Sequence, residues 1–342
     1  MKNPTQNAAY GGPGWQPRTQ SLNDEIGSVW AECGIDSEYM PLRKVLLHCP
    51  GPELAASLTD FNAVQMLAPL DMDLARAQHE AMAQAYREHG VEVLDLGHPG
   101  RPTPNQMFMA DVFVMTPAGA IVARPASVVR AGEERWAARA IAGLGMPIVA
   151  SIGGHGTFEG ADLTWVTPRL ALVARGVRTN DAAFAQIAAI LGTFGAEAVQ
   201  VDLPFGTMHL MGNLRLVDAD LAIGWPTRLP HRAVDALRAN GYRVEWIPDE
   251  DEAKLGYALN FVILGPRKIL MPAGCPITQA FYERLGITCV TIDISELGKA
   301  AGWWMDPARK SRRKMPVKHP ADPAALPSSL MSMVTHVIPS LS

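Results

Sequence analysis

Residues 170–203 read "LALVARGVRTNDAAFAQIAAILGTFGAEAVQVDL". A short apolar run, "LALVARGVRTN" (170–180), ends in an Arg-Gly turn. "AFAQIAAILGTFG" (183–195) repeats its apolar residues at helical spacing, which predicts a helix with one buried face. "AVQVDL" (198–203) then closes the unit with a second β-type run. The whole is one strand–helix–strand module.

The same pattern occurs four more times. First strands are predicted in "KVLLHCPG" (44–51), "AIVARPAS" (120–127), "LAIGWPTR" (221–228) and "KILMPAGCP" (268–276). Second strands are predicted in "VEVLDL" (91–96), "PIVAS" (147–151), "YRVEWIP" (242–248) and "TCVTID" (288–293). A module of this kind leaves apolar surface bare until a neighbour packs on it. Five in succession therefore predict a closed, pseudo-fivefold ring in one α/β domain over 38–310. An ordinary open α/β sheet is the plainer alternative.

Outside the repeat, residues 1–37 read as an irregular arm. Ser21, Asp24 and Glu25 form an N-cap pattern that predicts a short helix in "LNDEIGSVWAEC" (22–33). Residues 311–342 read as a C-terminal extension, and "ARKSRRKMPVKHPADPAALPSS" (308–329) is basic and then Pro-rich.

The totals exclude several classes. The 342 residues are 48% hydrophobic and 19% charged with a net charge of −4, which suits a globule with a large core and not a nucleic-acid binder. No apolar run is long enough to span a membrane, and the N-terminus shows no secretory signal. Cys33, Cys49, Cys275 and Cys289 have neither CxxC spacing nor nearby histidines. They predict no zinc site and no disulfide framework, and they fit a reducing cytoplasm.

Chemistry concentrates in three polar loops. "NQMFMADVFVM" (105–115) sets Asp111 just before a strand. "GGHGTFEGADLTWV" (153–166) carries His155, Glu159 and Asp162 among glycines that permit tight turns. "DLPFGTMHLMGNLRLVD" (202–218) carries His209. A carboxylate beside a histidine orients and charges the imidazole for acid–base work. Separated carboxylates can also grip a multi-donor cation such as a guanidinium. Taken singly, each of these residues could be a turn or cap residue.

Together the motifs resemble the guanidine-modifying superfamily with the pentein fold, a five-bladed α/β propeller. That superfamily includes arginine deiminases, dimethylarginine dimethylaminohydrolases and arginine amidinotransferases. The likeness runs from about residue 38 to 310. "EYMPLRKVLLHCPGPEL" (38–54) is similar to the family's first strand, and "MFMAD" (107–111) to its Phe-x-Arg-Asp segment. "EGAD" (159–162) resembles its Glu-Gly-Gly-Asp loop, "ARGVRTN" (174–180) its Arg-Thr-Asn partner, and "GTMHL" (206–210) its catalytic His segment. "EDEAKLGYALNFVILGPRKILMPAG" (250–274) resembles the final strand, with Asn260 at a recurrent Asn.

The resemblance implies a hydrolase cleaving a C–N bond of a guanidine, amidine or related planar nitrogen compound, without metal or organic cofactor. It implies His209 as acid–base group, Glu159 as its orienting acid, and Asp111 and Asp162 as guanidinium clamps. Arg178 becomes a loop-pinning or carboxylate-binding residue. Amidino transfer to an amine and a catalytically silent small-molecule binder are the alternatives. The expected partner is a small molecule; a homo-oligomer is compatible with the sequence.

One departure is large. The family's nucleophilic Cys follows a Ser-Glu-Leu-x-Lys motif, and here that region reads "SELGKAAGWWMDPARKS" (295–311). Asp306 stands at the Cys position by ungapped count. Trp303 and Trp304 beside it could cover a planar or aromatic substrate. Two replacements are therefore open: Asp306 as nucleophile or base, or Cys275 in "PAGCPIT" (272–278), a turn in which a non-catalytic residue is expected.

Overall fold

The computed structural model describes residues 7–97 and 100–301, together with the backbone of 335–339. Trp303, Trp304 and Asp306 lie outside the described residues.

Five three-stranded sheets make up the ring. The first module runs β1 (Leu42–Leu47), α1 (Ala56–Asp60), α2 (Met72–Glu88) and β2 (Glu92–Asp95). The second has α3 (Met109–Val112), β3 (Phe113–Thr116), β4 (Gly119–Val122), α4 (Glu134–Gly143) and β5 (Ile148–Ser151). The third has β6 (Leu163–Thr167), β7 (Leu170–Arg175), α5 (Asp181–Gly192) and β8 (Glu197–Asp202). β9 (Leu214–Asp218), β10 (Leu221–Gly224), α6 (His231–Ala239) and β11 (Arg243–Trp246) form the fourth. The fifth contains α7 (Glu250–Leu255), β12 (Val262–Gly265), β13 (Lys268–Pro272), α8 (Pro276–Arg284) and β14 (Thr288–Ile292), followed by α9 (Gly298–Ala301). β15 (Thr335–Pro339) is the last strand.

Each predicted strand–helix–strand pair is parallel, as a helical crossover requires. β7, for example, pairs with β8 from Leu170↔Glu197 to Arg175↔Asp202. Each module also carries an antiparallel strand on the other edge of its central strand: β3, β6, β9, β12 and, for the first module, β15. β15 lies antiparallel to β1, with Leu42 opposite Pro339 and Val45 opposite His336. Residues 335–339, in the stretch expected as a C-terminal extension, therefore pair with the first module of the ring. Without this partner β1 would present an unpaired edge.

The apolar clusters sit between modules, which is why no module stands alone. Trp165, Phe113 and Phe158 join the second and third modules, with Leu46 of β1 beside them. Val45, Tyr86 and Val262 join the first and fifth. Ile223 and Tyr282 join the fourth and fifth, and Leu172 and Leu237 the third and fourth. Among the described residues no helix is long and apolar enough to cross a membrane.

The N-terminal arm departs from expectation. Ser21 and Asp24 do cap one another: the Ser21 N–H donates to Asp24 Oδ2 at 3.0 Å, and the Asp24 N–H to Ser21 Oγ at 3.2 Å. Only a 3-10 turn, Asn23–Glu25, follows. Gly27 adopts φ +83°, a left-handed conformation that a helix cannot continue through.

Candidate active site

The antiparallel strands bring the polar loops together. Asp111 lies in α3, immediately before β3; Asp162 directly precedes β6; His209 lies five residues before β9. All three side chains, and that of Glu159, are buried. One glycine makes the close approach possible. A Cβ on Gly160 would meet the Ala110 and Phe113 carbonyl oxygens at 2.4 Å each, so a side chain there would push α3 away from the Glu159–Asp162 loop.

His209 is enclosed by carboxylates. Its Nδ1 is 3.4 Å from Asp162 Oδ1, and its Nε2 is 3.3 Å from Glu159 Oε2 and 3.6 Å from Asp111 Oδ1. The Leu210 N–H also donates to Asp162 Oδ1 at 3.1 Å, and the Asn213 amide donates to the His209 carbonyl at 2.5 Å. These bonds hold the imidazole between three acids.

The "RTN" segment pairs with the Gly-rich loop residue by residue. Arg178 Nη1 lies 3.3 Å from Glu159 Oε1, and the Thr179 hydroxyl donates to Asp162 Oδ2 at 2.6 Å. Asn180 Oδ1 accepts from the Thr157 N–H at 3.1 Å while also capping α5. Arg178 thus ties its loop to Glu159, while Asp162, expected to clamp a guanidinium, instead has its oxygens against His209 Nδ1, the Leu210 N–H and the Thr179 hydroxyl.

The sequence reading missed two charged members. Arg130 Nη1 is 2.6 Å from Asp111 Oδ2 and 3.1 Å from Glu159 Oε2. Its Nη2 is 2.8 Å from Glu133 Oε2, and the ring of Phe108 lies 5.8 Å from its guanidinium carbon. Glu133 is in turn held by the Thr103 hydroxyl. The available signal was local: Arg130 and Glu133 in "VVRAGEE" (128–134) stand at i,i+3 spacing after a turn.

This crowding sets the protonation states. Burial alone would lower the pKa of His209, but the surrounding Asp111, Asp162 and Glu159 side chains outweigh it and raise the value to about 10. Burial would raise Glu159; Arg130, His209 and Arg178 instead hold its carboxyl far below the usual range. Burial pushes Asp111 up, with His209 and Arg130 pulling the other way. At neutral pH the resting site therefore sets a charged imidazole beside the ionised Glu159 carboxylate.

Asp111, Glu159 and His209 also offer ligand atoms all within 4.8 Å of one another, near enough to hold a metal ion. The Arg130 guanidinium already lies against both carboxylates, so a divalent ion there would face a fixed cation at close range. The donor set fits a guanidinium better than a metal.

The remaining expected residues fall elsewhere. Asn260 is buried just before β12, its N–H donating to the Tyr257 carbonyl at 2.7 Å and its Oδ1 without a hydrogen-bond partner among the described residues. Cys275 is 1% exposed and packs in the core between the fourth and fifth modules. Its Sγ donates to the Gly256 carbonyl at 3.2 Å. Burial, with Glu252 and Asp249 adding to it, pushes its thiol up to about 12. The turn's work is to start α8. Pro276 stands at the first helical position, and Glu252 accepts from the Ile277 and Thr278 N–H groups at 3.0 and 2.7 Å. The structure does not join Cys275 to His209, and a thiol kept protonated is a poor nucleophile.

No family model matches the chain. Among curated proteins, the N(G),N(G)-dimethylarginine dimethylaminohydrolase of Streptomyces coelicolor is 30% identical over 263 residues, spanning 77% of this chain and 95% of the relative. The protein of the same name from Pseudomonas aeruginosa is 28% identical over 250 residues, spanning 72% and 92%. Among solved structures, a Cys-to-Ser variant of the P. aeruginosa enzyme complexed with citrulline superposes with a TM-score of 0.64 at 24% identity, covering 76% of this chain and 95% of that one. SxtG, an amidinotransferase from Microseira wollei, superposes with a TM-score of 0.64 at 12% identity, covering 80% and 94%. Both superpositions show the same ring architecture.

Proposed function

This chain belongs to the dimethylarginine dimethylaminohydrolase family of guanidine-modifying pentein enzymes, and on that premise we propose that it hydrolyses a C–N bond of a substituted guanidine through the His209 cluster. The observation that carries this reading is the fully buried imidazole held between Asp162 on Nδ1 and Glu159 and Asp111 on Nε2.

The reaction exchanges an amine for water. The guanidinium carbon gains an oxygen and loses one nitrogen as the amine, leaving a urea. The leaving nitrogen needs a proton, and His209, charged at neutral pH, supplies it from Nε2. A nucleophile bonds to the carbon before the amine departs, with Asp306, outside the described residues, as the candidate carboxylate; the neutral imidazole then takes a proton from the water that displaces it. Asp162 keeps Nδ1 protonated in both halves, and Glu159 stabilises the charged state. Asp111 Oδ1, buried with no hydrogen-bond partner among the described residues, is an acceptor suited to a substrate N–H. The cluster is buried, and Arg178 and Met208, whose Nη2 and Sδ are 3.7 Å apart, stand in the lining of the cavity beside it. That burial strengthens each charge interaction within.

Hydrolysis is favoured over amidino transfer because the two curated relatives described above, matched over most of their length, carry a hydrolase name, while the likeness to SxtG is one of fold. A silent binder has no need of an oriented imidazolium. The four free cysteines support a cytoplasmic location. The test is product release from a panel of guanidines and amidines, with and without an acceptor amine, in the native protein and His209→Ala. Turnover that survives His209→Ala overturns the mechanism; amidino transfer in preference to urea formation overturns the hydrolase assignment.

A further inference from the structure

Beside the cluster lies a cavity of ≈ 910 Å³. Arg178, Thr207 and Met208 are among the residues that line it, and so is Ala126, whose N–H donates to Glu159 Oε1 at 3.3 Å. The cavity therefore ends against the wall behind which His209 stands, where the substituent of a bound guanidine would extend.

Its chemistry is one-sided. Arg178 is the one charged residue among its described lining, and no Asp or Glu contributes. Met66, Leu67, Val177 and Phe205 supply apolar surface, with Phe205 97% and Val177 72% exposed. Behind the wall of residues 62–67 stands another neutral group, Asn105, whose amide donates to the Val64 carbonyl at 2.8 Å.

Resting on the hydrolase reading, we propose that this cavity is the subsite for the substrate's N-substituent and takes an alkyl or aryl group. The substrate class is an N-alkyl- or N-arylguanidine without an amino-acid head group. An α-ammonium placed here would lose water, find no carboxylate among the described lining residues and face the Arg178 cation, and Arg178, already paired with Glu159 at 3.3 Å, is drawn away from an α-carboxylate. Such uncompensated desolvation is costly. An apolar group instead covers Phe205 and Val177, and two methionine side chains can adjust to its shape. Deimination yields the N-substituted urea and ammonium: water adds its oxygen to the guanidinium carbon, and the unsubstituted nitrogen leaves with the proton from His209.

Calorimetric binding of phenylguanidine, hexylguanidine, L-arginine and dimethylarginine to the full chain tests the inference apart from the chemistry. Phenylguanidine or hexylguanidine should bind at least about tenfold more tightly than either amino acid, and Phe205→Ser should weaken the apolar ligands by roughly five- to tenfold while leaving the amino acids alone. Equal or tighter binding of the amino acids, binding of none of the four, or no effect of Phe205→Ser overturns the proposal. Ammonia and amine release, measured in parallel, reads the hydrolase assignment itself. Binding in the expected order without turnover upholds the subsite and sinks the reaction, and turnover with arginine preferred does the reverse.

Discussion

Arg130 Nη1 lies 2.6 Å from Asp111 Oδ2 and 3.1 Å from Glu159 Oε2, so a guanidinium belonging to the protein bridges two of the carboxylates that surround His209. Glu133 holds the far side of the same group. The site is thus an interlocked set in which no acid serves the imidazole alone. Arg130 fixes where Asp111 and Glu159 can sit and prevents their mutual repulsion.

Removing that cation should be expensive. Arg130→Met leaves three buried carboxylates around an apolar side chain, and urea denaturation should show a loss of about 3–5 kcal/mol. Arg130→Lys keeps the charge but not the planar fork, so its loss should be smaller. Equal stability of Arg130→Met and the native protein would remove Arg130 from the account.

Stability should depend on pH through His209. Its folded pKa of about 10 lies above the unfolded value of 6.5. Its stabilising contribution is therefore complete below pH 6.5 and is lost as pH rises towards 10. Glu159 behaves oppositely: its depressed folded value gives a contribution present above the unfolded 4.5 and lost as pH falls below it. Urea midpoints measured from pH 3 to 10 should fall at both ends. His209→Gln should flatten the alkaline limb and Glu159→Gln the acid limb.

Asp162 is expected to matter for rate more than for the fold. Asp162→Asn sets an amide against the Nδ1 of His209 and the Leu210 N–H. Turnover should fall by roughly 100-fold or more, with KM less affected. Thr179→Val removes only the hydroxyl donor to Asp162 and should cost far less. A rate for Asp162→Asn near that of the native protein would mean that Asp162 does not orient the imidazole.

Cys275 should be chemically quiet. Cys275→Ser should retain turnover to within about a factor of two, whereas a thiolate nucleophile would lose several orders of magnitude. In the native protein iodoacetamide should label the exposed Cys49 before Cys275. Gly256→Ala should destabilise by about 1–3 kcal/mol, because its Cβ would meet Cys275 Sγ at 2.5 Å and the Glu252 carbonyl at 2.9 Å. Asp306→Asn, assayed beside Cys275→Ser, tests the carboxylate alternative directly.

Much of the architecture was legible in the chain. The five first strands and their parallel partners follow from short apolar runs separated by helical periodicity, since both patterns are set by local backbone geometry. Asp111, Glu159, Asp162 and His209 were singled out because polar residues concentrated in loops ahead of strands, and the structure brings all four within hydrogen-bonding or ion-pair range. β15 was not legible as part of the first module. Its partner β1 lies at the other end of the sequence, and nothing local signals a pairing across that separation.

By itself, then, the sequence determined the modules, the positions where polar loops meet strand ends, and the absence of a cysteine in the segment where the family's nucleophile was expected. Tertiary structure alone decided which charges share a site and which thiol is inert. Arg130 meets Glu159 across 29 residues, and Cys275 meets Gly256 across 19. Neither consequence exists in an extended chain, because a guanidinium or a thiol changes its behaviour only when the closed ring strips away its water and sets fixed partners around it.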